Sequence, residues 1–167
     1  MAIKTFTTGE VLTAADTNTY LANSGLVYVS STTFSASTGV EMQNCFSSTY
    51  DNYLINITYY GSVATNTNWQ FMSGTNTKDG SATYNRYGYY WTSSINNFNS
   101  TSQTFQFFTN HGTTASAYSN GQLTVYRPNV SGVITNATIK SWAADSGLGV
   151  YLDTTQTNTT QYTGFYF

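Results

Sequence analysis

With five Lys/Arg, seven Asp/Glu and one His in 167 residues, this chain has too few ionisable groups for an ordinary proton-transfer site. Its net charge of −2, with no basic stripe, speaks against nucleic-acid binding. Tyr, Phe and Trp make up 17% and charged residues 7%, where about a quarter is usual, so its polar surface must be built from amides and hydroxyls.

The length fits one domain with a short appendage. At the N-terminus Thr5 to Thr8 reads as extended, with Gly9 as a break. Thr13-Ala-Ala-Asp16 matches the hydroxyl-x-x-acid pattern that opens a helix, and Gly25 is a plausible stop. Ala14, Ala15, Leu21 and Ala22 give that helix a narrow apolar face. So short a helix is marginal alone and needs a surface to pack on, its own sheet or another chain. Residues 1–25 are thus a candidate anchor, with Phe6, Val11, Leu12, Tyr20 and Leu21 as its gripping side chains.

From residue 26 to 167 the pattern is β. Leu26 to Ser31 and Val40 to Phe46 read as strands, and Tyr53, Ile55, Ile57 and Tyr59 alternate with polar residues. Trp69 and Phe71 alternate, Tyr84 to Thr92 is an aromatic strand, and Phe105 alternates with Phe107. Leu123 with Val125, Ala137 with Ile139, and Leu148, Val150 and Leu152 follow the same rule before the aromatic end at Tyr162 to Phe167. Turn signals include Ser73 to Asn76, Lys78-Asp79-Gly80, Asn110 to Gly112, Ser119 to Gly121, Ser131-Gly132 and Ser146-Gly147. Thr65 to Asn68 and Asn96 to Ser102 read as exposed polar loops. Eight to ten short strands without interleaved helices predict an all-β, antiparallel, jelly-roll-like sandwich behind a short N-terminal arm and helix.

The chemistry-bearing residues are sparse. Cys45 is alone and reads as a small buried apolar residue; no Cys/His set has metal-ligand spacing, so no metal or cofactor is expected. Glycoside hydrolysis needs two facing carboxyls, yet Asp145 and Asp153 flank one predicted strand about 27 Å apart. Glu41 with Asp51 would be a pairing from distant segments. His111 sits in a turn with no nucleophile elbow. Asp79-Gly80 fits a hairpin turn better than a calcium loop. The run from Tyr84 to Trp91 is the best ligand signal: Tyr87, Tyr89 and Trp91 fall on one face, Arg86 and Tyr90 on the other. One set enters the core; the other is free for a subunit contact or for stacking on sugar rings.

The run Thr8-Gly-Glu-Val-Leu-Thr-Ala-Ala-Asp-Thr-Asn-Thr-Tyr-Leu-Ala-Asn23 resembles the opening of small virion proteins of tailed bacteriophages, where such a segment precedes a β-rich domain. Phe46 to Tyr53 and the aromatic C-terminal strand are similar to the sandwich that follows there. The resemblance covers about a tenth of the chain specifically and gives no signature for residues 61 to 145. It implies a non-enzymatic virion component displayed in several copies, a homotrimer contacting other virion proteins, and supplies no catalytic or receptor-contacting residues. The expected role is a tail-associated fibre or receptor-binding tip meeting host-surface glycans, assembled in the host cytoplasm. The alternatives are a capsid decoration protein and a free carbohydrate-binding module. No apolar run is long enough for membrane insertion.

Overall fold

The computed structural model describes residues 7–11, 13–16, 25–61, 66–74, 77–110, 118–144 and 146–167. The chain divides into two units, residues 1–32 and 33–167. In the first, the Glu10 carboxylate accepts the Thr7 backbone N–H at 3.1 Å while Glu10 N–H donates to the Thr7 carbonyl at 3.0 Å, closing a turn. Helix α1 follows at Ala14–Asp16, where the capping signal placed a helix start. The expected continuation towards Gly25 lies outside the described residues. The segment Leu26 to Ser31, expected as a strand, joins no ladder. Four apolar residues in succession there define no single buried face, so alternation never selects a register.

The second unit contains twelve strands among the described residues. They are β1 (Glu41–Met42), β2 (Asn52–Tyr59), β3 (Asn66–Ser73), β4 (Thr77–Lys78), β5 (Tyr84–Trp91) and β6 (Ile95–Asn97). Then come β7 (Ser100–Gln103), β8 (Gln106–Asn110), β9 (Ser119–Tyr126), β10 (Thr135–Ala143), β11 (Leu148–Gln156) and β12 (Gly164–Tyr166). All pairs are antiparallel. One sheet runs β1-β12-β3-β4, with β8 also on β3; the other runs β2-β9-β10-β11-β5-β6, with β7 also on β5. The expected all-β antiparallel sandwich is therefore the observed fold.

Alternation fixes which faces meet. Along β10, Thr135, Ala137, Ile139, Ser141 and Ala143 are buried and the residues between them are not. Leu123 and Val125 of β9 and Val150 and Leu152 of β11 continue that inner face. Phe46, just after β1, bridges the sheets, with ring centroids 4.8 Å from Tyr53 of β2 and 6.3 Å from Phe71 of β3.

Three turn or loop expectations are corrected. Of Thr65 to Asn68, Asn66 to Asn68 lie in β3 and Thr65 is outside the described residues, while Asn96 to Ser102 supplies parts of β6 and β7. Both are amide-rich edge regions whose ladder bonds offset the low β-propensity of Asn. Ser119 to Gly121 opens β9 instead of forming a turn, because the Phe108 ring fills the space that a Cβ on Gly121 would need. Phe108 reaches there through a bulge: Thr67 pairs with Thr109 but Asn68 with Phe107, so one residue of β8 is extra. The bulge breaks the predicted Phe105/Phe107 alternation and leaves both Phe107 and Phe108 buried, with Phe105 exposed.

The Lys78-Asp79-Gly80 turn also carries more than a change of direction. Asp79 accepts hydrogen bonds from the Ser81 backbone N–H at 3.1 Å, the Ser81 hydroxyl, Gln156 Nε2 at 2.7 Å and the Tyr162 hydroxyl. Asp153, expected to flank a strand, lies within β11 on its exposed side, where it accepts from the Thr138 hydroxyl at 2.9 Å.

Strands β5 and β11 approach so closely that a Cβ on Gly88 would collide with the Tyr151 carbonyl oxygen and crowd Leu152. Replacing Gly88 by Ala is expected to cost about 1–3 kcal/mol, as overpacking against backbone does. Urea unfolding checks this, and an unchanged midpoint would contradict the packing.

Candidate functional site

The site is built on the outer face of the seven-stranded sheet. Since Tyr84 and Arg86 are buried, the alternate residues of β5, Tyr87, Tyr89 and Trp91, must point outward. Register places them beside the outward residues of neighbouring strands. In one row Trp142 pairs with Gly149, Gly149 with Trp91 and Trp91 with Ile95. In the next, Lys140 pairs with Tyr151, Tyr151 with Tyr89 and Tyr89 with Asn97.

Gly149 explains how Trp91 lies. A Cβ there would collide with Cε2, Cζ2 and Nε1 of Trp91, so the indole occupies the space over the glycine. Trp142 stands on the far side of the same glycine, two strand spacings or about 10 Å from Trp91. The Tyr89 and Tyr151 rings stack at 5.5 Å and 17°, and Tyr89 leans on Trp91 at 5.8 Å. Tyr87, Tyr89, Ile95 and Trp142 are exposed. Beside Trp91 opens a cleft of about 350 Å³ lined by Tyr89, Trp91, Thr92, Ser93, Ser94 and Ile95.

Arg86 and Tyr90, grouped with these residues by sequence proximity, turn the other way. Arg86 is 8% exposed; its Nε donates to Ser100 Oγ at 2.6 Å, its Nη2 to Gln103 Oε1 at 3.3 Å, and its guanidinium lies 4.4 Å from the Phe98 ring centroid. Its Nη1 has no hydrogen-bond partner among the described residues, and burial lowers its pKa. It is a structural cation under β7, not a surface contact. Tyr90 packs edge-on against Phe98 at 5.8 Å, partly buried against the core. The sequence could not choose between the rows because both are aromatic; Tyr84, wholly buried, decides it.

Sequence reading missed Trp142, Tyr151 and Gly149. The alternation of β10 does put Trp142 opposite Ile139, but only cross-strand register brings it beside Trp91. Of the anchor residues, Val11 is exposed; Phe6, Leu12, Tyr20 and Leu21 lie outside the described residues, as does His111. Among the described residues no three His, Cys, Asp or Glu side chains come together. Cys45 is buried, its Sγ donates to the Met42 carbonyl at 3.3 Å, and burial pushes its thiol up to about 11.

No family model, curated protein or solved structure matches this chain.

Burial raises the pKa of Tyr59 and Tyr84 as well, and of Tyr162, where the Asp79 carboxylate adds to the effect. A raised folded-state pKa means the folded chain holds protons that the unfolded chain releases. Stability from these groups is therefore present below about pH 9, the ordinary thiol value of Cys45 in the unfolded chain, and falls as pH climbs past 10, the ordinary tyrosine value. Urea unfolding across this range, read with phenolate absorbance, should show a steep alkaline decline; a flat profile would contradict the buried phenols.

Proposed function

We propose that this chain is a non-enzymatic structural protein of a tailed-phage virion, attached through residues 1–25 and displaying the sandwich as a tail-associated fibre or receptor-binding tip. The observation that carries the display reading is the outer face of the seven-stranded sheet. Tyr87, Tyr89 and Trp142 there are exposed, and none of them belongs to the buried core cluster. Large exposed aromatic groups on a chain so poor in charge are a feature of surfaces made to be covered. The Thr8 to Asn23 segment supports virion attachment by its resemblance to phage virion proteins, and its helical start at Ala14 agrees with a short docking element.

The chemistry fits holding better than turnover. The Cys45 thiol is buried and protonated at neutral pH, and Asp153 lies on the sheet exterior bonded to Thr138. The proposed unit is a homotrimer in contact with other virion proteins.

Deleting residues 1–25 is expected to abolish incorporation into particles while the remaining chain keeps its β circular-dichroism spectrum. Labelled antibody on intact particles should then mark the tail. Normal incorporation of the truncated chain would overturn the anchor, and label spread over the head would replace the tail role with capsid decoration.

A further inference from the structure

We propose that the cleft beside Trp91, together with Trp142 across Gly149, binds the pyranose rings of a neutral oligosaccharide. This deepens the display reading and rests on it for its biological setting. The indole occupies the space over Gly149 on the outer side of the sheet, and the strongest recognition feature of an indole is its π-face. Such a face is electron-rich and attracts the weakly positive C–H bonds on one side of a sugar ring. Trp142 projects from the same face two strand spacings over, about 10 Å between backbones, with the Trp91 ring lying towards it over Gly149. Two indoles on one face suit several rings of one chain better than a single small ligand.

The rim supplies the remaining chemistry. Thr92, Ser93 and Ser94 bring three hydroxyl side chains to the lining, and Ile95, 75% exposed, adds an apolar one. The depression is open and shallow, so it offers a stacking platform with a few directional polar groups and not an enclosing pocket. Charge decides the ligand class. No residue lining the cleft is ionisable below the tyrosine range, the nearest cation in register, Lys140, lies by the Tyr151 ring, and Asp153 is engaged by Thr138. The cleft's own lining offers an anionic glycan no cation and a cationic ligand no carboxylate. A neutral sugar needs neither.

The test titrates the full-length chain with neutral hexaoses of glucose, galactose, mannose and N-acetylglucosamine, and with a sialylated and a sulfated oligosaccharide. Tryptophan fluorescence and the indole N–H resonances report binding. At least one neutral probe should bind saturably and shift the Trp91 indole resonance. Trp91→Ala should weaken it by about tenfold or more. Ile95→Asp, at a position too exposed to endanger folding, should do the same with an unchanged unfolding midpoint. Silence of every neutral probe at millimolar concentration, preference for a charged one, or binding that survives both substitutions would overturn the proposal. So would concentration-dependent self-association that Ile95→Asp abolishes, which would assign the face to a second copy. Particles that still incorporate the Ile95→Asp chain would keep the display reading intact whichever way the sugar result falls.

Discussion

The sandwich depends on how Phe71 and Asp79 are joined to the opposite sheet. Phe71 of β3 stacks on Tyr84 of β5 at 6.2 Å and 18° and on Tyr162 at 4.7 Å and 20°, and meets Trp69 edge-on at 4.8 Å. Polar bonds lock the same residues. The Phe71 backbone N–H donates to the Tyr84 hydroxyl at 2.9 Å, the Phe71 carbonyl accepts from Asp79 N–H at 2.8 Å, and the Tyr162 hydroxyl closes the circuit on the Asp79 carboxylate. Gln156, at the end of β11, adds a further donor to that carboxylate. Losing a buried Phe ring costs about 3–5 kcal/mol, and a stranded buried donor or acceptor about 1–3 kcal/mol, so this cluster holds a large share of any ordinary folding free energy.

That arrangement separates the two faces of the large sheet. Inward residues such as Leu123, Ile139 and Leu152 are fully buried. The outward row of Trp142, Gly149, Trp91 and Ile95 contributes cross-strand contacts but fills no core space. Its cross-strand aromatic pairs stiffen the sheet by at most about 1 kcal/mol each. The fold can thus carry an aromatic exterior whose composition is set by what it must meet. With few charges available, that exterior relies on rings, hydroxyls and amide pairs such as Gln122 to Asn56 at 3.0 Å.

Most of the strand framework was legible because alternation is a local signal. The cores of β2, β9, β10 and β11 fall where small or apolar residues recur every second position. Legibility failed where a residue's role is non-local. Asp79 looks like a turn residue, and nothing nearby in sequence points to Tyr162 or Gln156, which lie 83 and 77 positions away. Gly121 looks like a turn and is instead a socket for Phe108, itself placed by a bulge that no alternation rule contains. The aromatic run from Tyr84 to Trp91 announced a site, but its two rows were equivalent until burial of Tyr84 and Arg86 turned Trp91 outward. Trp142 and Gly149 joined it only through register.

The most direct check of this division between a structural interior and a spare exterior compares two urea unfolding free energies. Tyr162→Phe keeps the stacked ring and removes one hydroxyl from Asp79, for an expected loss of about 1–3 kcal/mol. Trp142→Ala removes a much larger side chain from the outer face, for an expected change within about 0.5 kcal/mol. If losing the outer indole destabilised the chain as much as losing the one inner hydroxyl, the exterior would be structural and the account would fail.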